Sequence, residues 1–167
     1  LHGSLDVYQT IGVETVLSSD KYRRLLTEAQ ARGFEVRMLY VLLKSPELQI
    51  ERVRIRVADG GHDVPEDKIR SRRARSLAQL AWFAGRVDQL LIFDNSTAEP
   101  ALIASKSPDK ALRWHQRPAK ALHAELVAAG LPVPALPLIE PPARTPGKPA
   151  KTARRRVRRK ESKTPKP

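Results

Sequence analysis

Apolar residues of this chain fall into strand-length runs separated by helix-length stripes. The runs at 34–43 (FEVRMLYVLL) and 87–96 (VDQLLIFDNS) are rich in β-branched and aromatic residues and end in polar turns, which is typical of buried strands. A short buried strand is also predicted within 8–17 (YQTIGVETVL), and a short edge strand within 101–107 (ALIASKS). These runs are the predicted strands of the fold.

Helix-length segments with capping signals lie between and beyond these runs, at 20–33, 45–60, 66–81 and 118–130. Ser45 is a predicted N-cap followed by Pro46 at the first helical position, and Gly33 is a predicted helix stop. Strands that alternate with helices predict an α/β fold with a mostly parallel sheet. In such sheets ligands bind beyond the carboxyl ends of the strands, which here carry ETVLSSD, LLKSPE and FDNS.

Positive charge is concentrated at the end of the chain. Residues 144–167 hold eleven of the 31 Lys and Arg and one of the 18 Asp and Glu, so +10 of the net +13 lies there and +3 lies in residues 1–143. We predict one domain over 1–131 and a Pro-rich, basic, disordered tail over 132–167. The tail has two interpretations, a solubilising extension or a weak contact with nucleic acid or another anionic surface.

The amino-acid composition limits the cellular compartment and the kinds of metal or disulfide site that we expect. Cysteine is absent, which excludes disulfides and Cys-ligated zinc and fits a reducing compartment. The four histidines are scattered, so a metal site built from them is not expected. The longest apolar runs are far too short to span a bilayer. We therefore expect a cytoplasmic protein with no membrane partner.

Arginines flank the segment ADGGHDVP (58–65) on both sides. Arg52 and Arg56 share a helical face before it, and four arginines follow it at positions 70, 72, 73 and 75. Two such helices joined by a Gly-Gly hinge could close on a polyphosphate, because guanidinium groups match phosphate oxygens. The alternative is a solvated basic face paired with neighbouring carboxylates. His62 within the hinge is a proton carrier, a donor to a phosphate oxygen, or incidental.

Polar residues at the predicted strand ends are the other candidates. Glu14 and Thr15, with Ser18 close behind, suit a polyhydroxy or sugar substrate, although helix capping would also explain the serine. Asp94 and Asn95 in the D-N-S sequence are either an Asx turn or a nucleotide contact. Neither G-x-x-x-x-G-K-[ST] nor G-x-G-x-x-G occurs, so the chain does not itself supply the usual phosphate cradle.

An ordered string of these motifs resembles the zeta-toxin-type P-loop kinases. The string is E-T-x-L-S, L-x-S-x-E, R-V-x-x-R-V-x-x-G-G-H-x-V-P, a basic helix ending in S-L, and a strand ending in D-N-S, and it covers about residues 5–105. The resemblance implies a nucleoside-kinase-like P-loop fold, a parallel sheet flanked by helices with a helical lid. It also implies ATP and Mg²⁺ as cofactors and phosphoryl transfer to a small hydroxylated substrate, such as a UDP-N-acetylamino sugar.

The resemblance also implies roles for individual residues. Arg56, Arg72 and His62 are the expected catalytic groups of the lid: Arg56 and one second group, either Arg72 or His62, neutralise charge on the transferred phosphoryl group. Substrate binding is expected of Glu14, Thr15 and Ser18, and contact with the nucleotide is expected of Arg52, Asp94 and Asn95. An antitoxin protein is a further expected partner.

The sequence departs from the family at one place. The phosphate-binding loop and the acidic residue that activates the substrate hydroxyl lie upstream of E-T-x-L-S in the family, whereas only thirteen residues precede Glu14 here. We therefore expect an N-terminally truncated kinase domain that is inactive alone. The alternatives are a basic nucleic-acid-binding protein that acts through 144–167, and a non-catalytic remnant.

Overall fold

The computed structural model of the chain describes residues 2–134. Five helices lie in this part of the chain: α1 (His2–Asp6), α2 (Arg23–Ala31), α3 (Pro46–Ala58), α4 (Glu66–Ala84) and α5 (Lys120–Ala128). Four strands accompany them: β1 (Arg37–Leu42), β2 (Gln89–Asp94), β3 (Ala101–Lys106) and β4 (Arg113–Trp114). The prediction of an α/β fold is confirmed.

The four strands form one mixed sheet in the order β1-β2-β3-β4. Strands β1 and β2 are parallel, with Arg37 opposite Gln89 and Leu42 opposite Asp94, whereas β2–β3 and β3–β4 are antiparallel. The prediction of a mostly parallel sheet is therefore wrong. Six residues join β2 to β3. This connection is too short for the crossover that a parallel return requires, so the chain folds back beside the strand it has just formed.

Two strand predictions need correction. Residues 8–17 form no strand, so Glu14 and Thr15 do not end one. The segment is irregular backbone that bonds to Ser76 of α4 through the Val16 carbonyl, with Leu17 in the left-handed region at φ 53°. Strand β3 is not an edge strand, because β4 pairs with its outer side. Among residues 2–134 the free edge of the sheet at the other end is β1.

The predicted start of α3 and the predicted stop of α2 are confirmed, whereas the predicted cap of α2 is not. The Ser45 hydroxyl accepts a hydrogen bond from the Leu48 amide at 3.2 Å, as an N-cap does, and Pro46 is the first residue of α3. Gly33 follows α2 with φ +81° and donates its amide to Gln30. Helix α2 starts three residues after Asp20 and has no side-chain cap, so Ser18 does not cap it.

The core lies on one face of the sheet, beneath α4 and α5. Its most deeply buried side chains come from those two helices, from β2 and from the turn that precedes β2: Leu80, Val87, Leu90, Ile92, Leu122 and Leu126. In β1 alternate residues point to this core, and the remaining ones are exposed. The opposite face of β1 and β2 therefore leaves Leu39, Val41 and Leu91 partly in solvent.

Two further predictions concern the C-terminal tail and membrane-spanning helices. The predicted tail, 132–167, lies almost entirely outside the described residues. Within residues 2–134, no helix is both long enough and apolar enough to cross a membrane.

Candidate functional site

A cleft with a volume of about 1070 Å³ runs along the free edge of β1. Residues 35–43 form one wall and residues 13–17 lie on another side, with α4 contributing Arg72, Arg73 and Ser76. Three of the predicted site residues line this cleft: Glu14, Thr15 and Arg72. They belong to two segments far apart in sequence, and the fold brings them together.

Hydrogen bonds to α4 hold the 14–18 segment in place. The Ser76 hydroxyl donates to the Val16 carbonyl at 2.8 Å, and the Arg75 Nε donates to the Ser18 carbonyl at 3.2 Å. The side chain of Leu17 is buried in the core, and its amide donates to the Thr15 hydroxyl at 3.0 Å. The backbone beside Glu14 is therefore anchored, and Ser18 contributes its carbonyl to that anchor.

Tyr40 and Ser76 form the polar floor of the cleft. Their hydroxyl oxygens are 2.8 Å apart, and because the Ser76 proton points to Val16, the Tyr40 hydroxyl is the donor. Burial raises the pKa of Tyr40, while the bond to Ser76 and the charge of Arg73 act in the opposite direction. Gln49 also lines the cleft, and its Oε1 is a buried acceptor with no hydrogen-bond donor within residues 2–134.

Ion pairs account for most of the charged groups in the lining. Arg37 donates to Glu35 at 2.8 Å and holds the pKa of that carboxyl below its usual range. Arg73, which is 8% exposed, donates through Nε and Nη2 to one oxygen of Glu125 at 2.9 and 2.6 Å. In the described part of the chain, Glu14 and Arg72 are the charged lining residues that have no hydrogen-bond or ion-pair partner. The cleft thus presents one unpaired carboxylate and one unpaired guanidinium.

The hinge residues Arg56 and His62 lie together but not in the cleft. The Arg56 Nη2 donates to the His62 carbonyl at 3.3 Å, and the Gly61 amide donates to the Arg56 carbonyl at 2.8 Å. Neither residue lines the cleft. The structure therefore separates these two predicted catalytic residues from Arg72.

The residues at the end of β2 bond to α3 and to one another. The Arg52 Nη2 donates to the Asn95 carbonyl at 2.6 Å, and the Ser96 amide donates to Asp94 Oδ1 at 2.9 Å. The second bond is the local turn that was the alternative interpretation of D-N-S. Arg52, Asp94 and Asn95 do not line the cleft, and the turn keeps the Asp94 carboxylate occupied.

Other arginines near the hinge form a solvated face paired with carboxylates, which was the alternative to phosphate binding. Arg54 pairs with Glu66, and Arg70 pairs with Glu47 at 2.9 Å. The Glu47 carboxyl pKa is lowered by the hydrogen bond from Arg70. These pairs connect α3 to α4 across the hinge.

Sequence reasoning missed Tyr40, Ser76 and Gln49. Tyr40 lies inside an apolar run and Ser76 inside a basic helix, where neither residue type signals a binding site. Gln49 carried a usable signal, because it interrupts the apolar residues Leu48 and Ile50 near the start of α3.

Comparison of this chain with protein families, with curated proteins and with solved structures finds no match. The chemistry of the cleft therefore carries the functional inference.

Proposed function

We propose that this chain is the acceptor-binding part of a zeta-toxin-type kinase. In this proposal the cleft holds a small hydroxylated molecule that carries phosphate, such as a UDP-N-acetylamino sugar. The single observation that carries the proposal is the placement of Glu14, Thr15 and Arg72 in one cleft.

Each of these groups suits such a ligand chemically. The Arg72 guanidinium is charged at all physiological pH values and matches phosphate oxygens with paired donors. The Glu14 carboxylate accepts hydrogen bonds from sugar hydroxyls, and the Thr15 hydroxyl can still donate because its oxygen accepts from Leu17. The buried Gln49 Oε1 needs a donor, which a ligand hydroxyl or amide would supply.

The resemblance assigns ATP and Mg²⁺ to a phosphate-binding loop that the sequence of this chain does not contain. The sequence holds no Gly-rich loop followed by Lys and Ser or Thr that could surround a triphosphate. Among residues 2–134, no group of three or more His, Asp or Glu side chains is placed to hold a metal ion. The proposal therefore covers acceptor binding and does not extend to phosphoryl transfer by residues 1–167 alone.

Calorimetric titration of the full 167-residue chain with UDP-N-acetylglucosamine tests the proposal. Arg72→Ala should weaken binding at least about tenfold, because a hydrogen bond to a charged group contributes about 1.5–3 kcal/mol. Arg24→Ala is the matched control, since Arg24 is an exposed arginine of α2 paired with Glu28 and lies outside the cleft. Absence of binding at millimolar ligand, or equal loss in both variants, would contradict the proposal.

Nucleic-acid binding is the second candidate, and the basic sequence of 144–167 favours it. Carboxylates neutralise two of the four arginines of α4, which reduces the basic surface that this helix adds. Arg70 and Arg73 pair with carboxylates and Arg75 bonds to a carbonyl, which leaves Arg72 pointing to the cleft. If this second function holds, deletion of 144–167 should abolish salt-sensitive RNA or DNA binding and leave the sugar-nucleotide affinity unchanged.

A further inference from the structure

Two arginines lie over the ring of Trp82 where α2 packs against α4. The guanidinium carbons of Arg23 and Arg86 are 4.8 and 4.2 Å from the centre of that ring. The ring itself meets the buried side chain of Phe83 edge-on, with 5.0 Å between the ring centres. The attraction between a cation and an aromatic face therefore holds both guanidinium groups on an anchored surface.

Neutral groups are the hydrogen-bond acceptors of both arginines. Arg23 Nε donates to Gln79 Oε1 at 2.9 Å, and Arg86 Nη1 donates to the Trp82 carbonyl at 2.9 Å. Gln30 of α2 donates to the Arg86 carbonyl at 2.7 Å and so fixes the turn after α4. Each guanidinium keeps further N–H donors and an uncompensated positive charge.

Two more cations extend this surface. Lys21 Nζ lies 4.8 Å from the ring centre of Tyr22, and the exposed Arg75 is one turn before Gln79 on α4. Within residues 2–134 no carboxylate forms an ion pair with any of the four cations. We call this surface the Trp82 patch, and it consists of Lys21, Arg23, Arg75, Gln79, Trp82 and Arg86.

The acidic groups of this chain do not neutralise the Trp82 patch. Asp20 is next to Lys21 in sequence, but the two described side chains form no ion pair. Residues 135–167 hold eleven Lys and Arg and two Glu, so their net charge of +9 repels them from the patch. None of the patch residues lines the cleft, so the patch is separate from the proposed sugar-nucleotide site.

The charge and the surface character of the patch indicate the chemistry of its partner. Four uncompensated cations match a polyanion. A membrane surface is disfavoured, because no exposed large apolar side chain of the described residues belongs to the patch for insertion into lipid. Guanidinium groups bind phosphate oxygens with paired donors and also stack on bases, which are accessible in single strands.

We propose that the Trp82 patch binds single-stranded nucleic acid, with phosphates on its cations and a base stacked on the guanidinium of Arg23 or Arg86. This inference rests on the second candidate function and adds to it a contact site in the folded domain. Residues 144–167 supply most of the charge, whereas the patch supplies ordered groups on which a base can stack.

Fluorescence anisotropy of a labelled oligothymidine of about eight nucleotides, titrated with the full chain, tests the proposal. The double variant Lys21→Gln with Arg86→Gln removes two exposed cations and should bind about tenfold more weakly. The slope of log affinity against log salt concentration should become shallower by about 1.4, because each lost phosphate contact accounts for about 0.7 in a single strand.

Arg113→Gln with Arg117→Gln is the matched control. It removes the same charge from two exposed arginines outside the patch and should weaken binding about twofold at most. Equal affinities of the two double variants would overturn the proposal and leave the second candidate function standing. Absence of salt-sensitive binding by the native chain would overturn both.

Stacking is tested separately from charge. The native chain should bind an abasic strand of the same length about tenfold more weakly than oligothymidine. Arg86→Lys keeps the charge and loses the planar group, so it should weaken oligothymidine binding about threefold and leave the affinity for the abasic strand unchanged. Equal affinity of the native chain for both strands would overturn the proposal. Patch-dependent binding of a DNA duplex, polyglutamate or phosphatidylserine vesicles that is as tight as that of oligothymidine would also overturn it.

Discussion

Gly61 shows how little room the hinge leaves for a side chain. A β-carbon at this position would lie 2.8 Å from both the Cγ and the carbonyl oxygen of Arg56. The glycine therefore allows the hinge to turn back onto the end of α3, which brings the His62 carbonyl to the Arg56 guanidinium. At the residue scale, this contact explains why the segment between two basic helices contains a second glycine.

Gly61→Ala should lower the free energy of unfolding by about 1–2 kcal/mol, because the added methyl group forces the helix end or the Arg56 side chain to move. Urea denaturation measures the effect. Gly85→Ala is the control, since a β-carbon there meets no atom within 4 Å. Equal stability of the two variants would show that the close approach at Gly61 is absent in solution.

Tyr40 gives the cleft floor a pH dependence. Burial raises its pKa above the usual value of 10.0, so the folded state holds the phenolic proton more tightly than the unfolded state does. The resulting stability is present below pH 10 and is lost as pH rises through the folded-state pKa. In Tyr40→Phe the melting temperature should fall less steeply with pH above pH 10. At neutral pH the free energy of unfolding should be about 1 kcal/mol lower, because the bond to Ser76 is lost. Thermal melts from pH 7 to 11 distinguish the two chains, and parallel alkaline slopes would contradict this account.

At the scale of elements, the Arg73–Glu125 pair joins α4 to α5. Both donors of Arg73 reach one carboxylate oxygen, and the side chain of Arg73 is 7% exposed against 35% for Glu125. Loss of the carboxylate would leave a guanidinium buried without compensation, which is costly in a protein interior.

Glu125→Ala should therefore destabilise the protein by about 3 kcal/mol, at the low end of the range for breaking buried pairs because Glu125 is partly exposed. The double variant Arg73→Met with Glu125→Ala should recover part of that loss, since no charge is then left buried. Chemical denaturation of the three proteins measures both effects. If the double variant were less stable than Glu125→Ala, by about as much as Glu125→Ala is less stable than the native protein, the proposed pairing would be contradicted.

The elements that sequence predicted well are those set by local signals. Ser45 and Gly33 mark helix ends through bonds to residues within one turn, Pro46 does so through its fixed φ, and the structure confirms all three. Residues 8–17 have strand composition but gain no partner strand within residues 2–134, because pairing depends on which distant segments reach them. The antiparallel return of β3, in contrast, could have been predicted, because the runs at 87–96 and 101–107 lie too close in sequence for a parallel crossover.

At the scale of the whole molecule, the candidate site also combines features that local sequence predicts with features that only the fold determines. Glu14, Thr15 and Arg72 were predicted separately from motifs, and the fold brings them into one cleft. Arg56 and His62 lie together in the hinge, and Arg52 lies with Asn95 at the strand ends. The motifs identified the polar residues. The packing of α4 across the 14–18 segment determines which of those residues share a cavity.

NMR mapping of UDP-N-acetylglucosamine binding to the full chain tests the central claim, that the cleft is the acceptor site. Titration should shift the amide signals of 14–17, Tyr40 and 72–76 in a saturable manner, while those of 52–56 and 94–96 change little. Saturable shifts confined to the hinge and the strand ends would contradict the account, as would the absence of saturable shifts at millimolar ligand.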